Sequence, residues 1–300
     1  IVHGLDMLDG FSEISQQQID GIVDFLGNQC QNRVTGGFGG GPGQLPHLAP
    51  TYASINSLTI INPLTSVKNS AFDVVDRDKL YQFLLSLKDE KSGGFRMHKD
   101  GEVDIRGTYC ALSVATLLNI CTEELMKGVR AYIVDSQTYE GGIGSFPGFE
   151  GHGGYAFCGL AALLLLKDWE GFNIDQSLHW CVRRQMSFEG GFQGRTNKLV
   201  DSCYSFWMGS TIPLMQGILA AEKPEQERTE LDLNVFKYLQ WEAPTKNNNA
   251  SSDSTNSPIP LQTTTETTSV SIEDMDAQVE DNIYPELEDT EWKITFTQNL

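Results

Sequence analysis

No stretch of this chain stays apolar for long. The longest uninterrupted run, Leu160–Leu166, is seven residues, against the ~20 that a membrane-crossing helix needs. Basic residues are scarce: 21 Lys and Arg stand against 40 Asp and Glu, a net charge of −19 over 300 residues. That balance excludes a surface for nucleic acid or anionic lipid, since both need clustered cations. Cysteine is sparse and scattered, with six residues (Cys30, Cys110, Cys121, Cys158, Cys181, Cys203) and no CxxC pair. Such usage fits a reduced, cytoplasmic protein rather than a disulfide frame. The chain begins at Ile1 with no initiator Met and no basic segment ahead of an apolar one, so no signal peptide is visible. It is expected to start inside a longer protein, to make no stable membrane insertion and to bind no nucleic acid.

What the chain has in abundance is glycine, 29 residues, and some of it is periodic. A Gly-Gly pair followed by an apolar residue recurs at Gly36-Gly37-Phe38, Gly93-Gly94-Phe95, Gly141-Gly142-Ile143 and Gly190-Gly191-Phe192, at intervals of 57, 48 and 49 residues. Three of the pairs have a Gln within the five residues before them: Gln31, Gln137 and Gln185. Four such marks at near-constant spacing constitute a repeat.

Each unit holds two helical patterns. Ahead of the glycines lies an amphipathic segment (residues 19–29, 79–88, 124–136 and 174–186), in which apolar residues such as Leu80, Phe83, Leu84 and Leu87 share one face. The glycines are expected to terminate these outer helices as left-handed caps. After each pair come a loop and a more uniformly apolar segment (residues 52–61, 106–120, 154–166 and 203–221), the pattern of a helix covered on nearly all sides. An all-α fold follows. It is either an open solenoid or a closed double ring, and the apolar inner set favours the ring because a solenoid leaves one face of every helix wet. Residues 1–242 are read as this domain, with residues 231–241 as its last ordered segment. Residues 243–300 carry −9 of the net charge and are rich in Asn, Ser and Thr, which predicts a mostly disordered acidic tail.

Polar residues gather where the inner helices begin. If those helices run parallel, their N–H groups and positive dipole ends converge on one mouth suited to an anion such as phosphate. Arg106 and His152 open two of the helices, and Arg195 and Lys198 stand in residues 190–200, which contain no acid. Such cations can hold a diphosphate, although as sequence they are equally solvated loop charges. Asp201-Ser202-Cys203 offers a carboxylate and a thiolate that reach one zinc ion. The same spacing also describes a capping Asp followed by a core Cys. Tyr109, Tyr155, Phe157, Tyr204, Phe206 and Trp207 fall in the first turns of inner helices, where they line a greasy cavity or simply pack the core.

These blocks carry a resemblance. Residues 36–44, 46–52, 101–106, 140–144, 152–163 and 188–207 are closely similar to the β subunits of protein farnesyltransferases, over roughly residues 1–220. The geranylgeranyltransferase β subunits fit the same blocks less well. The resemblance implies an α6–α6 barrel, an α/α toroid with a central lipid funnel, paired with a helical-repeat α subunit. It implies a zinc enzyme that moves a farnesyl group from farnesyl diphosphate to the cysteine of a C-terminal CaaX motif, with Mg²⁺ assisting. It assigns His152, Arg195, Lys198 and Tyr204 to the diphosphate. Trp207, Tyr155, Gly154 and Cys158 go to the isoprenoid channel, with Gly153 and Tyr109 also against substrate. Arg106 is assigned to the carboxyl end of the acceptor peptide. Asp201 and Cys203 become two of three zinc ligands and, with Tyr204 and Lys198, the catalytic set.

Two departures stand out. The family's zinc-binding His lies in a later repeat, and no His follows Cys203 here. The closing helices and the carboxylate associated with Mg²⁺ are not recognisable either. This chain by itself is therefore expected to transfer poorly, because two ligands hold zinc weakly. The competing reading is a truncated, non-catalytic chain that binds the α subunit or lipid. A triterpene cyclase, built on similar double rings, is set aside because no Asp-x-Asp-Asp or Asp-Asp-x-x-Asp cluster appears.

Overall fold

A computed structural model describes residues 1–66 and 70–223. The segment at 231–241, the tail and the boundary between residues 242 and 243 all lie outside the described residues. In chain order the helices are α1 (Val2–Met7), α2 (Gln16–Asp24), α3 (Leu48–Ile61), α4 (Arg77–Leu87), α5 (Ile105–Leu117), α6 (Glu123–Met126), α7 (Val129–Asp135), α8 (Gly153–Leu166), α9 (Ile174–Val182) and α10 (Cys203–Glu222). One short antiparallel pair, β1 (Phe95–Arg96) with β2 (Val103–Asp104), bridges a loop.

The outer helices start where a side chain can satisfy orphan amides. Ser15 and Gln18 form a reciprocal capping box on α2, Asp76 caps α4 through Lys79 N–H, and Asn173 caps α9 through Gln176 N–H; each such cap contributes about 1 kcal/mol. α4 buries Leu80, Phe83, Leu84 and Leu87 and leaves its charged face to water. α2 runs on through a π-helical turn, Phe25–Cys30. The third outer segment is not the single helix expected at 124–136. It breaks into α6 and α7 at Gly128, whose φ of +77° departs from helix, because the turn of the preceding unit presses against this point. The inner helices match the apolar segments closely. α3 packs on α5, α5 on α8 and α8 on α10, so successive inner helices are neighbours.

The glycine pairs do not cap the outer helices. Those helices have already ended: α4 caps at extended Lys88, and α7 and α9 at right-handed Ser136 and Arg183. The pairs instead close tight turns that follow. In each turn the first glycine is left-handed, with φ of +87°, +85°, +101° and +71° at Gly36, Gly93, Gly141 and Gly190. The apolar residue that follows pairs back with the end of the outer helix, as in Gln31 with Phe38 and Gln137 with Ile143.

The recurrent Gln has a physical role that spacing alone does not reveal. Gln31 Nε2 donates to Gly36 O and to Asp76 O, while its Oε1 accepts from Asp76 N–H. Gln137 does the same with Gly141 O, Asn173 O and Asn173 N–H. One side chain thus ties its own turn to the cap of the next outer helix. In the second unit Lys88 substitutes, its Nζ donating to Gly93 O and Leu125 O at 2.8 Å each and lying 4.5 Å from the Phe95 ring centroid.

Burial pulls the Lys88 ammonium from the ordinary 10.5 down to about 8. A cation whose folded pKa is depressed destabilises the fold while it stays charged. Between about 8 and 10.5 the folded form has shed a proton that the unfolded chain keeps, so stability rises with pH across that window. Lys88→Gln, which restores the residue of the other units, should remove that rise. Between pH 7.5 and 10 the parent's melting temperature should therefore gain on that of the variant; curves that stay parallel would contradict the assignment.

The first three inner helices are each stitched to the following unit at the same end. The first amide of α3 (Leu48) donates to Met97 O, that of α5 (Ile105) to Ser145 O and that of α8 (Gly153) to Gly194 O. In each case an amide left orphaned at a helix start is satisfied by the loop of the following unit. The four inner helices therefore begin along one rim.

Candidate functional site

The residue nine places after the apolar member of the glycine motif is the N-cap of α3, α5 and α8, and stands one place before the N-cap of α10. His47, Asp104, His152 and Asp201 occupy that place, nine residues beyond Phe38, Phe95, Ile143 and Phe192. All four side chains accept from a backbone amide of the first turn. In two of them the second polar atom then meets another site residue, Asp104 Oδ2 with Arg106 and His152 Nε2 with Tyr204.

At α8, His152 Nδ1 accepts from Gly154 N–H at 3.1 Å. In the neutral ring this places the proton on Nε2, which donates to Tyr204 Oη at 2.9 Å. Burial first, then the Arg195 charge, lower the His152 pKa, so the ring stays neutral near pH 7. Burial raises the Tyr204 pKa, which keeps the phenol protonated. Having accepted from His152, that phenol has its own O–H left to donate to an incoming anion. The Tyr155 ring lies 5.1 Å from that of His152, tilted at 51° to it.

Tyr204 occupies its place because residue 194 has no side chain. A Cβ on Gly194 would sit 1.9 Å from the Tyr204 Cζ atom. The loop from Gln193 to Val200 carries Arg195 and Lys198. Arg195 is not unopposed, as the acid-free stretch suggested, because Glu150 from the preceding loop pairs with it at 3.0 Å. Lys198 is exposed, and no acidic group pairs with it among the described residues.

Beside this cluster, Arg106 is held by Asp104 through its Nε and Nη2 and by Glu102 at 3.5 Å. Its guanidinium lies 5.7 Å from the Tyr155 ring. His47 stacks on His98 at 5.3 Å, and its pKa is lowered by burial, with His98 the next contributor. Glu102, His47, His98 and Glu150 were not singled out from sequence. His47 was legible from the nine-residue register, whereas the others needed the loops to be folded.

Inward from the rim the aromatic residues form a chain. Tyr52 and Tyr109 lie 5.5 Å apart, Tyr109 and Phe157 5.6 Å, and Phe157 and Trp207 5.5 Å. Phe206 touches Phe157 and Trp207 but is 56% exposed on the flank of α10, so it is no core residue of this arc. Cys158 and Cys110 are buried deeper, and burial pushes the Cys110 thiol up to about 12 and that of Cys158 higher still. Both are apolar wall rather than nucleophiles.

Cys203 opens α10 immediately before Tyr204, Asp201 stands two residues ahead of it, and both are exposed. Asp201 Oδ1 accepts from Cys203 N–H at 2.9 Å. What little desolvation it suffers, and next the Asp201 carboxylate, raise the Cys203 pKa. A thiol and a carboxylate so placed repel as anions, and a thiophilic divalent cation would reverse that, so the donors fit zinc chemically. No group of three candidate metal donors occurs among the described residues.

A family profile described as the prenyltransferase alpha-alpha toroid domain matches residues 1–258. The chain belongs to that family. Its double layer of outer and inner helices is accordingly part of an α/α toroid. The chain is 48% identical over 216 residues to protein farnesyltransferase subunit beta of Arabidopsis thaliana, covering 72% of this chain and 42% of the relative. It is 51% identical over 183 residues to the subunit of that name from Saccharomyces cerevisiae, covering 60% and 41%. It thus spans less than half the length of these relatives. The solved structure of Candida albicans protein geranylgeranyltransferase-I complexed with GGPP superposes with a TM-score of 0.59 at 24% identity, over 79% of this chain and 72% of that one, a likeness of fold. No helix among the described residues of this toroid family member is long and apolar enough to cross a membrane.

Proposed function

We propose that the chain is the reaction-centre portion of a protein farnesyltransferase β subunit, acting with a helical α subunit on farnesyl diphosphate and the C-terminal cysteine of CaaX proteins. The observation that carries this reading is the hydrogen-bonded His152–Tyr204 pair beside Arg195, with Lys198 on the same loop, at a rim of helix N-termini above a chain of aromatic rings. A diphosphate matches the donors and an isoprenoid matches the rings. The farnesyl type rests on the two relatives at 48% and 51% identity.

In this reading the acceptor thiolate attacks C1 of the isoprenoid. The S–C1 bond forms, the C1–O bond breaks, and the electron pair leaves with the diphosphate. Tyr204 O–H, the Arg195 and Lys198 cations and the helix N-termini meet the charge that grows on the leaving oxygens. Phe157, Trp207 and Tyr109 exclude water that would hydrolyse the allylic donor. Arg106, anchored by Asp104, is positioned for a peptide carboxylate. Asp201 and Cys203 would hold zinc, whose chemistry when bound is to keep a thiol ionised at neutral pH. Magnesium would add to the neutralisation of diphosphate charge.

The test is zinc content and farnesyl transfer for this chain co-expressed with an α subunit, against Cys203→Ala. Zinc that co-purifies with the parent and falls at least about tenfold in the variant supports the metal assignment. Equal zinc in both would refute it. A chain that binds farnesyl diphosphate yet holds no zinc is the non-catalytic lipid- or α-subunit-binding form.

A further inference from the structure

Arg184 lies just beyond α9 and is 8% exposed. No carboxylate pairs with it among the described residues, and its Nε has no hydrogen-bond partner. Its guanidinium sits 5.2 Å from the Trp180 ring, and among the described residues its one polar side-chain contact is Nη1 donating to Thr196 Oγ1 at 2.7 Å. A buried cation with no ion pair is costly; burial lowers its pKa, and the field of the Glu140 carboxylate counters this only in part. The Trp180 contact offsets only part of that cost, and an apolar side chain of similar length would pack there with less desolvation penalty.

Thr196 stands between the loop's two cations. The loop is pinned at three places. Gly194 O accepts from Gly153 N–H, with the Tyr204 ring closing over Gly194. Thr196 is held by Arg184. Lys198 N–H donates to Oε1 of buried Gln193, whose own N–H donates to Arg184 O. Asn197, between the last two pins, is left-handed at φ +60°. Arg195 is thus bracketed by two fixed neighbours, and Arg184 engages the loop through both its backbone and its side chain.

We infer that Arg184 is a positioning residue, which with Thr196 and Gln193 holds the loop so that Arg195 and Lys198 present their charges to a diphosphate. This rests on the reading of the rim as a diphosphate site, and it adds a residue that touches no ligand itself. Its signature is a divergence between stability and binding. Arg184→Met removes a desolvated charge and keeps the volume, so the melting temperature should hold or rise. The same change should weaken binding of inorganic pyrophosphate and of farnesyl diphosphate about tenfold, since small misplacements of binding groups carry large penalties. Thr196→Val deletes only the acceptor and should weaken binding about threefold, whereas Thr196→Ser, which keeps the hydroxyl, should bind like the parent.

The experiment is titration calorimetry of the full 300-residue chain and these variants with both ligands, together with amide hydrogen exchange across residues 194–200 in the free proteins. Faster exchange in Arg184→Met and Thr196→Val, with weaker binding and serine rescue, is the expected result. Unchanged exchange in both variants overturns the inference, as does weaker binding in Arg184→Met with a parent-like Thr196→Val, which would mark a charge effect rather than positioning. A parent chain that binds neither ligand, yet exchanges faster in both variants, retains the loop-holding role and sinks the diphosphate reading instead.

Discussion

A Gly194→Ala chain is expected to fold and yet to lose diphosphate binding by about a hundredfold. The added methyl would lie 1.9 Å from the Tyr204 ring, far inside contact distance, so the ring must swing away and surrender its 2.9 Å bond with His152. Residue 194 is not left-handed, so alanine is conformationally acceptable and the damage falls on the neighbour rather than on the backbone. Tyr204→Phe separates the contributions. It keeps the ring in place, removes one O–H, and should weaken binding by about tenfold, the scale of a charge-assisted bond. Titration with inorganic pyrophosphate and circular dichroism together decide the matter. Native binding in Gly194→Ala would mean that Tyr204 is not part of the site.

The second large effect is on stability. Gly141→Ala should destabilise by about 3 kcal/mol or more, enough to unfold a marginal domain. Two causes act together. Gly141 has φ of +101°, a conformation that a Cβ disfavours, and that Cβ would meet Gln176 O at 2.2 Å, on the backbone of α9, which cannot step aside. Gly43 isolates the first cause, because it has φ of +73° and nothing within 4 Å of a built Cβ. Alanine there should cost only about 1–2 kcal/mol. Chemical denaturation measures both, and equal midpoint shifts would show that the close approach of turn to helix contributes nothing.

These glycines illustrate how much of the architecture is written locally. The glycine period, the paired helical patterns and the all-α class are one-dimensional properties, because a turn that needs a left-handed residue and a helix that needs one or all faces apolar each leave a mark in neighbouring residues. The inner helices fell within a few residues of their expected bounds for that reason. The glycines were expected as helix caps, and that differed because a left-handed residue in sequence does not say which turn it serves. The break at Gly128 likewise depends on Gly93, a residue 35 positions away.

The site divides in the same way. Alignment of the units on Phe38, Phe95, Ile143 and Phe192 brings His47, Asp104, His152 and Asp201 into register, so the capping ends of the inner helices are a property of the linear chain. So are the excess of acid and the scarcity of long apolar runs. What folding alone decided is which groups meet across units: Glu150 with Arg195, Arg184 with Thr196, Tyr204 over Gly194, and His152 with Tyr204 across 52 residues. Those encounters follow from interlocking rather than from pattern. α3, α5 and α8 each hand their first amide to the next unit's loop, and only when the units are stacked do side chains of separate repeats come within bonding distance.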